Sequence, residues 1–185
     1  MTSAQEIRRS LHGAMLLARG ETDGMGWLDV SFEGFWRSFA SPLIAAPAYA
    51  LVVAEQYARV GYHGPLAPVL VSEAVSYALQ IVSFPLLAIL LTRFLGLGAR
   101  YVPLVVATNW ASLPQIAAYL AACVVGAAVP ALRPGLMLGV ILATLIYEWF
   151  VIRTALGTSG GNAAAFVVLN LLVGVMLNRL VDAVV

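Results

Sequence analysis

The chain has 185 residues, of which 62% are hydrophobic and only 10% charged, against about 25% charged in a typical soluble domain. So much apolar surface exceeds what one soluble core of this length needs and predicts an integral membrane protein. A formal net charge of +1 gives no overall attraction to nucleic acid, and the single cysteine, Cys123, excludes an intrachain disulfide.

Residues 3–19 predict a short amphipathic helix. Ser3 and Glu6 have capping-box spacing. Ile7, Leu11, Ala14, Met15 and Ala18 recur at helical intervals, with Arg8, Arg9 and His12 off that face. Two placements follow: on the membrane surface with the arginines near anionic headgroups, or packed on the helical bundle or on a second copy. Met1–Ser10 holds no apolar stretch, so no cleavable signal peptide is expected, and insertion falls to the later spans. Gly20–Gly26 is a loop. Trp27, Phe32, Phe35, Trp36 and Phe39 then form an aromatic segment suited to a lipid–water boundary. Trp27, Trp36 and Arg37 are the candidate interfacial anchors. Residues 1–37 are thus predicted to be a cytoplasmic amphipathic and interfacial segment, and residues 38–185 a transmembrane domain.

The first span starts between Ser38 and Ser41 and runs to about Val53, with Pro42 in its first turn and Pro47 as an expected kink. Glu55 and Arg59 have ion-pair spacing, and Tyr62-His63-Gly64-Pro65 makes a turn. The second span, about Pro68 to Phe94, carries Glu73, Ser76, Gln80 and Ser83 on one arc. The third, from Tyr101 to Val129, has Thr108, Asn109, Ser112 and Gln115 at its centre around Pro114. Thr108, Ser112, Gln115 and Tyr119 share a narrow arc. Polar groups at mid-bilayer avoid lipid, so that arc should face other helices or a wet cavity, with the bundle packed around this span. The fourth span, about Gly135 to Arg153, has a small-residue ridge of Gly135, Gly139 and Ala143, with Thr144 and Glu148 beyond it. The fifth, about Asn162 to Val185, repeats Asn170, Gly174, Asn178 and Asp182 every four residues.

The fold class predicted is therefore all-α: a polytopic bundle of five transmembrane helices. With the N-terminus cytoplasmic, seven arginines fall inside (Arg8, Arg9, Arg19, Arg37, Arg93, Arg100, Arg153) and three outside (Arg59, Arg133, Arg179), which favours N-in, C-out. The composition reads as bacterial, and the location as the cytoplasmic membrane.

Glu55, Glu73 and Glu148 are costly in lipid and need partners. Glu55 and Glu73 flank one hairpin, either as an outward cation or proton site or simply paired to Arg59 and to local hydrogen bonds. Glu148 lies deeper, either in a structural network with the third span or in a relay. The intramembrane polar network expected is Glu73, Gln80, Asn109, Ser112, Gln115, Glu148, Asn170 and Asn178. No phosphate-binding glycine loop, His-Glu-x-x-His, cysteine pair or Ser-His-Asp set is present, so no cofactor and no metal is expected.

Two stretches resemble the Yip-domain family of small membrane proteins. Asn109-Trp110-Ala111-Ser112-Leu113-Pro114 is similar to the family's aromatic-small-x-Pro pattern in the middle span, with Trp110 where tyrosine is more usual. Leu145–Leu156 followed by Gly157–Ala164 is similar to a Trp-bearing span leading through a short Gly/Ser loop into a last helix that starts with alanines. The likeness covers roughly residues 35–185 and implies five spans, a cytoplasmic N-terminal segment and a short outer C-terminus. In eukaryotes the family is associated with Rab-type GTPases and vesicle budding. The function expected is non-enzymatic: a membrane-complex subunit, scaffold or interaction module that engages lipid, other membrane proteins or a second copy. The alternative is a small proton- or cation-coupled transporter or channel using Glu73, Gln80, Gln115 and Glu148.

Overall fold

The computed structural model describes the backbone of residues 3–184, with side chains over 3–65 and 67–181. The side chain of Asp182, the last member of the predicted fifth-span stripe, lies outside the described residues.

Among the described residues seven α-helices follow one another: α1 Ala4–Ala18, α2 Phe32–Ser38, α3 Ala40–Arg59, α4 Leu66–Phe94, α5 Tyr101–Ala128, α6 Arg133–Leu156 and α7 Gly160–Val184. Among the described residues five helical stretches are long and apolar enough to cross a bilayer: Phe32–Arg59, Ala67–Phe94, Gly98–Ala128, Pro130–Leu156 and Gly160–Val181. The chain is a helical bundle with the features of a multi-pass membrane protein.

Local chemistry sets the helix ends. Ser3 caps α1 by accepting the Glu6 N–H at 3.1 Å. Ser31 caps α2 by accepting the Gly34 N–H at 3.0 Å. The interfacial aromatic segment is helical and runs almost directly into the first span, broken only at Phe39. Pro47, Pro85 and Pro114 sit inside α3, α4 and α5 without ending them. Gly157, at φ 59°, takes the left-handed turn that stops α6.

The third predicted span, α5, is the centre of the bundle. It packs against α3, α6, α4, α1 and α2, while α7 closes the far side against α4 and α6. Lipid supplies no hydrophobic drive between spans, so this packing rests on close fit and interhelical hydrogen bonds. The tight part lies at the end that carries the N-terminal segment. There Leu104, Val105, Val106 and Ala107 of α5 meet Val151, Ile152, Ala155 and Leu156 of α6 and Ala163 and Phe166 of α7, all at 0–1% exposure.

The N-terminal helix belongs to that core. Of the two placements open from sequence, α1 takes the packed one: Ser10, Gly13, Ala14 and Leu17 are buried, and the Tyr147 hydroxyl donates to the Ala14 carbonyl at 2.8 Å. The buried face is rotated from the one predicted. Leu11 and Met15 are exposed, at 37% and 43%, because the contact is made by small residues that let backbones approach. Gly13 and Gly24 touch across it, and a Cβ on Gly13 would stand 2.6 Å from the Gly24 carbonyl oxygen.

Candidate functional site

The polar residues of the spans gather into two places separated by a pair of stacked tyrosines. The one with more polar side chains is a chamber at mid-height between α4, α5, α6 and α7. It is a cavity of about 210 Å³ whose wall includes Gln80 of α4, Thr108, Asn109, Ser112 and Gln115 of α5, Glu148 of α6 and Asn170 of α7. The predicted α5 arc therefore faces a cavity, as its polarity requires.

Each span contributes here through helical spacing. On α5, Thr108, Ser112 and Gln115 lie on one arc, and Tyr119 continues it into an adjoining lobe of about 300 Å³ that also reaches Tyr49, Thr144 and Glu148. On α7, Asn170, Gly174 and Asn178 line a second lobe of about 330 Å³ with Gln80, Ser83 and Glu148. Glu148 and Gln80 border all three spaces.

The stripes pair across helices. Asn170 donates its amide to Glu148 Oε1 at 2.8 Å. Gln80 Nε2 donates to Asn178 Oδ1 at 3.2 Å. Asn109 Nδ2 donates to Ser38 Oγ at 2.8 Å, tying α5 to α2. The Asn109 carbonyl, in the turn before Pro114, accepts from Ser41 and Ser112, each at 2.7 Å. Pro114 leaves the Trp110 carbonyl without its helical donor, and the hydroxyls serve the carbonyl one residue before it. Glu148 bonds the fifth span rather than the third, and no arginine or histidine forms an ion pair with it among the described residues.

The chamber is closed at one end. Beyond Thr108 and Glu148, towards the N-terminal segment, the helices are closed by Leu104, Trp110, Ile152 and Phe166. Both lobes extend the other way, towards the α3–α4 hairpin, through Thr144 and Tyr119 on one side and Asn178 on the other.

Glu73 stands apart. It accepts from the Tyr49 hydroxyl at 2.8 Å and the Tyr57 hydroxyl at 3.4 Å, within a largely apolar cavity of about 540 Å³ between α3 and α4. Tyr49 and Tyr77 stack with ring centroids 4.6 Å apart and form a wall shared with the chamber. The single α4 stripe is therefore split at Tyr77: Glu73 lines the α3–α4 cavity, and Glu148 lines the chamber and its two lobes.

Glu55 is not brought to Glu73 either. Its main partner is Arg133, with Nη1–Oε1 and Nη2–Oε2 both at 2.7 Å. Arg59, the partner read from spacing, is more distant at 3.7 Å. Only the tertiary fold reveals the pair, since 78 positions separate its members.

Among the interfacial candidates, Trp27 and Trp36 remain exposed, at 43% and 62%. Trp27 meets the His12 ring edge-on, and Trp36 joins Phe32, Phe35 and Phe39. Arg37 is more than a headgroup-level charge. It donates to Glu6 at 2.8 Å and to Asp29, clamping α1 and the loop to α2. The ridge residues Gly135, Gly139 and Ala143 face outwards, and a Cβ on either glycine would meet nothing of the chain within 4 Å.

The described residues hold no group of three or more His, Cys, Asp or Glu side chains placed to bind a metal. No protein-family model, curated protein or solved structure matches the chain.

Proposed function

We propose that this chain is a non-enzymatic subunit or scaffold of a bacterial inner-membrane assembly, with its N-terminus cytoplasmic and its C-terminus opposite. The observation that carries this reading is a division of labour between faces. The polar side chains of the spans bond one another across helices, two of these bonds partly buried and the Gln80–Asn178 bond exposed, while Gly135, Gly139 and Ala143 form a flat strip open to a neighbouring helix. Small residues allow two helices to pack closely in lipid, where association depends on fit. The partner is another membrane protein or a second copy of this chain. The likeness to the Yip-domain family supports the same reading, and exposed Trp27 and Trp36 suit a boundary position beside α1.

The test is Gly139→Leu. A Cβ at Gly139 meets nothing of the chain within 4 Å and the position faces outwards, so the folded monomer should persist. Cross-linked or co-eluting assembly in native membranes and mild detergent should fall severalfold. Unchanged assembly would remove the role of the ridge.

A second reading, a small cation-coupled transporter, is favoured by one observation. Gln80, Gln115 and Glu148 line a common chamber in the membrane-spanning region. Glu73 is not part of that path. Uptake of a cation into proteoliposomes, lost in Gln115→Leu, is the result that reading requires.

A further inference from the structure

We propose that the mid-bundle chamber is a binding site for a compact organic monocation, a protonated amine on a short apolar body, with Glu148 as its charge partner. The proposal deepens the second reading above, yet requires no transport and leaves the assembly reading untouched.

Charge comes first. Glu148 is the only ionisable acid or base on the chamber wall other than tyrosine, and it has no cationic partner among the described residues. Asn170 bonds Oε1, and among the described residues no hydrogen bond engages Oε2. Among the described residues no buried side-chain oxygen or nitrogen lacks a partner, so that second oxygen is open to the cavity. A carboxyl group with no counter-charge in low dielectric stays neutral by holding a proton, or ionises against one positive charge from outside the chain, and a bound ammonium group supplies that charge. It calls for one, not two. Divalent cations of the calcium type take six or more oxygens, with several carboxylates among them.

Hydrogen bonding comes second. An ammonium group has three donors and no acceptor. Around Glu148 the wall offers neutral acceptors: the amide oxygens of Gln115 and Gln80 and the hydroxyls of Ser112 and Thr108. Gln80 already spends its Nε2 on Asn178, which leaves its carbonyl oxygen for a donor.

Shape comes third. About 210 Å³ is far larger than a bare inorganic ion, and Pro42, Ile81, Phe84 and Val151 make part of the wall apolar. A cavity with one charge, a few neutral acceptors and an apolar side suits an amine carrying a small hydrocarbon body. Entry is from the α3–α4 hairpin end, because the opposite end is sealed by Trp110, Ile152 and Phe166.

Isobutylammonium chloride is the probe, with sodium chloride and neutral isobutanol as controls. Thermal unfolding of the purified protein in mild detergent, followed by tryptophan fluorescence, should shift upwards by a few degrees with isobutylammonium alone. Glu148→Gln should abolish the shift. Because that variant can fail to fold, a second measurement uses the unaltered chain. Dicyclohexylcarbodiimide, an apolar carboxyl reagent, is allowed to react in membranes, and modified peptides are quantified by mass spectrometry. Isobutylammonium should lower labelling of Glu148 severalfold and leave Glu73, in the neighbouring cavity, unchanged. Equal shifts with isobutanol or sodium chloride, or Glu148 labelling indifferent to isobutylammonium, would overturn the proposal. Binding without uptake in proteoliposomes would sink the transporter reading and sustain the site. Loss of assembly in Gly139→Leu reports only on the ridge.

Discussion

Glu55 and Arg133 form the best-shaped ion pair in the molecule: two parallel contacts of 2.7 Å with the arginine side chain only 12% exposed. Fork-on-fork geometry of this kind is stronger than a single contact between mobile side chains. Replacing Arg133 with alanine should therefore cost about 1.5–3 kcal/mol of stability in detergent. Replacing Arg59, at 3.7 Å and half-exposed, should cost well under ~1 kcal/mol. Thermal unfolding of the two variants decides it, and equal losses would contradict the assignment. Asp29 offers a pH test outside the spans. The Ser31 backbone N–H, bonded to its carboxylate at 3.0 Å, and then Arg37 hold its pKa below the usual aspartate range. Its folded value thus lies below the unfolded value of about 3.9. Its contribution to stability is complete above about pH 4 and is lost as pH falls through the lowered folded value. Asp29→Asn should be less stable than the unaltered protein at neutral pH, and the gap should narrow as pH drops below about 4. Parallel melting curves at both pH values would show that the carboxylate contributes nothing.

At the scale of elements, the join between α1 and the Thr22–Trp27 turn is the contact most sensitive to volume. A methyl on Gly13 would press 2.6 Å from the Gly24 carbonyl and 2.9 Å from Trp27 Cβ. Gly13→Ala should cost about 1–3 kcal/mol by overpacking and make the N-terminal segment a site of rapid limited proteolysis. Gly139→Ala meets nothing and should be neutral or stabilising, by up to about 1 kcal/mol through helix propensity. Similar proteolysis of the two variants would mean that α1 does not dock as described. The second to fifth spans were legible in the sequence to within a few residues, because runs of apolar residues bounded by Gly and Pro leave little choice, whereas the first extends to Arg59, past the end expected near Val53. The seat of α1 was not. Periodicity weighted by hydrophobicity points to Leu11 and Met15, whereas the contact uses Ser10, Gly13, Ala14 and Leu17. The usable signal was smallness at helical spacing beside a glycine-rich loop, which marks close backbone approach rather than burial of bulk.

Over the whole molecule, sequence spacing placed the polar residues on arcs but left open which arcs meet. Thr108, Ser112 and Gln115 were legible as inward-facing, and they line the chamber. That Glu148 bonds Asn170, or that Tyr49 and Tyr77 divide Glu73 from the chamber, depends on which helices are neighbours. No local pattern encodes neighbours. The outcome is an asymmetric bundle, tightly packed at the end bearing the N-terminal segment and hollow towards the α3–α4 hairpin. The most direct measurement of that arrangement is cysteine reactivity in native membranes, on a Cys123→Ser background, towards a charged, membrane-impermeant methanethiosulfonate. Gln115→Cys and Thr144→Cys, on the chamber walls, should react from the hairpin side, and Leu104→Cys in the sealed core should not. Ile146→Cys and Leu172→Cys, on faces 65% and 58% exposed in the isolated chain, should stay unreactive because lipid covers them. Reaction at Ile146 and Leu172 as fast as at Gln115 and Thr144 would contradict a lipid-embedded bundle with its polar faces turned inward.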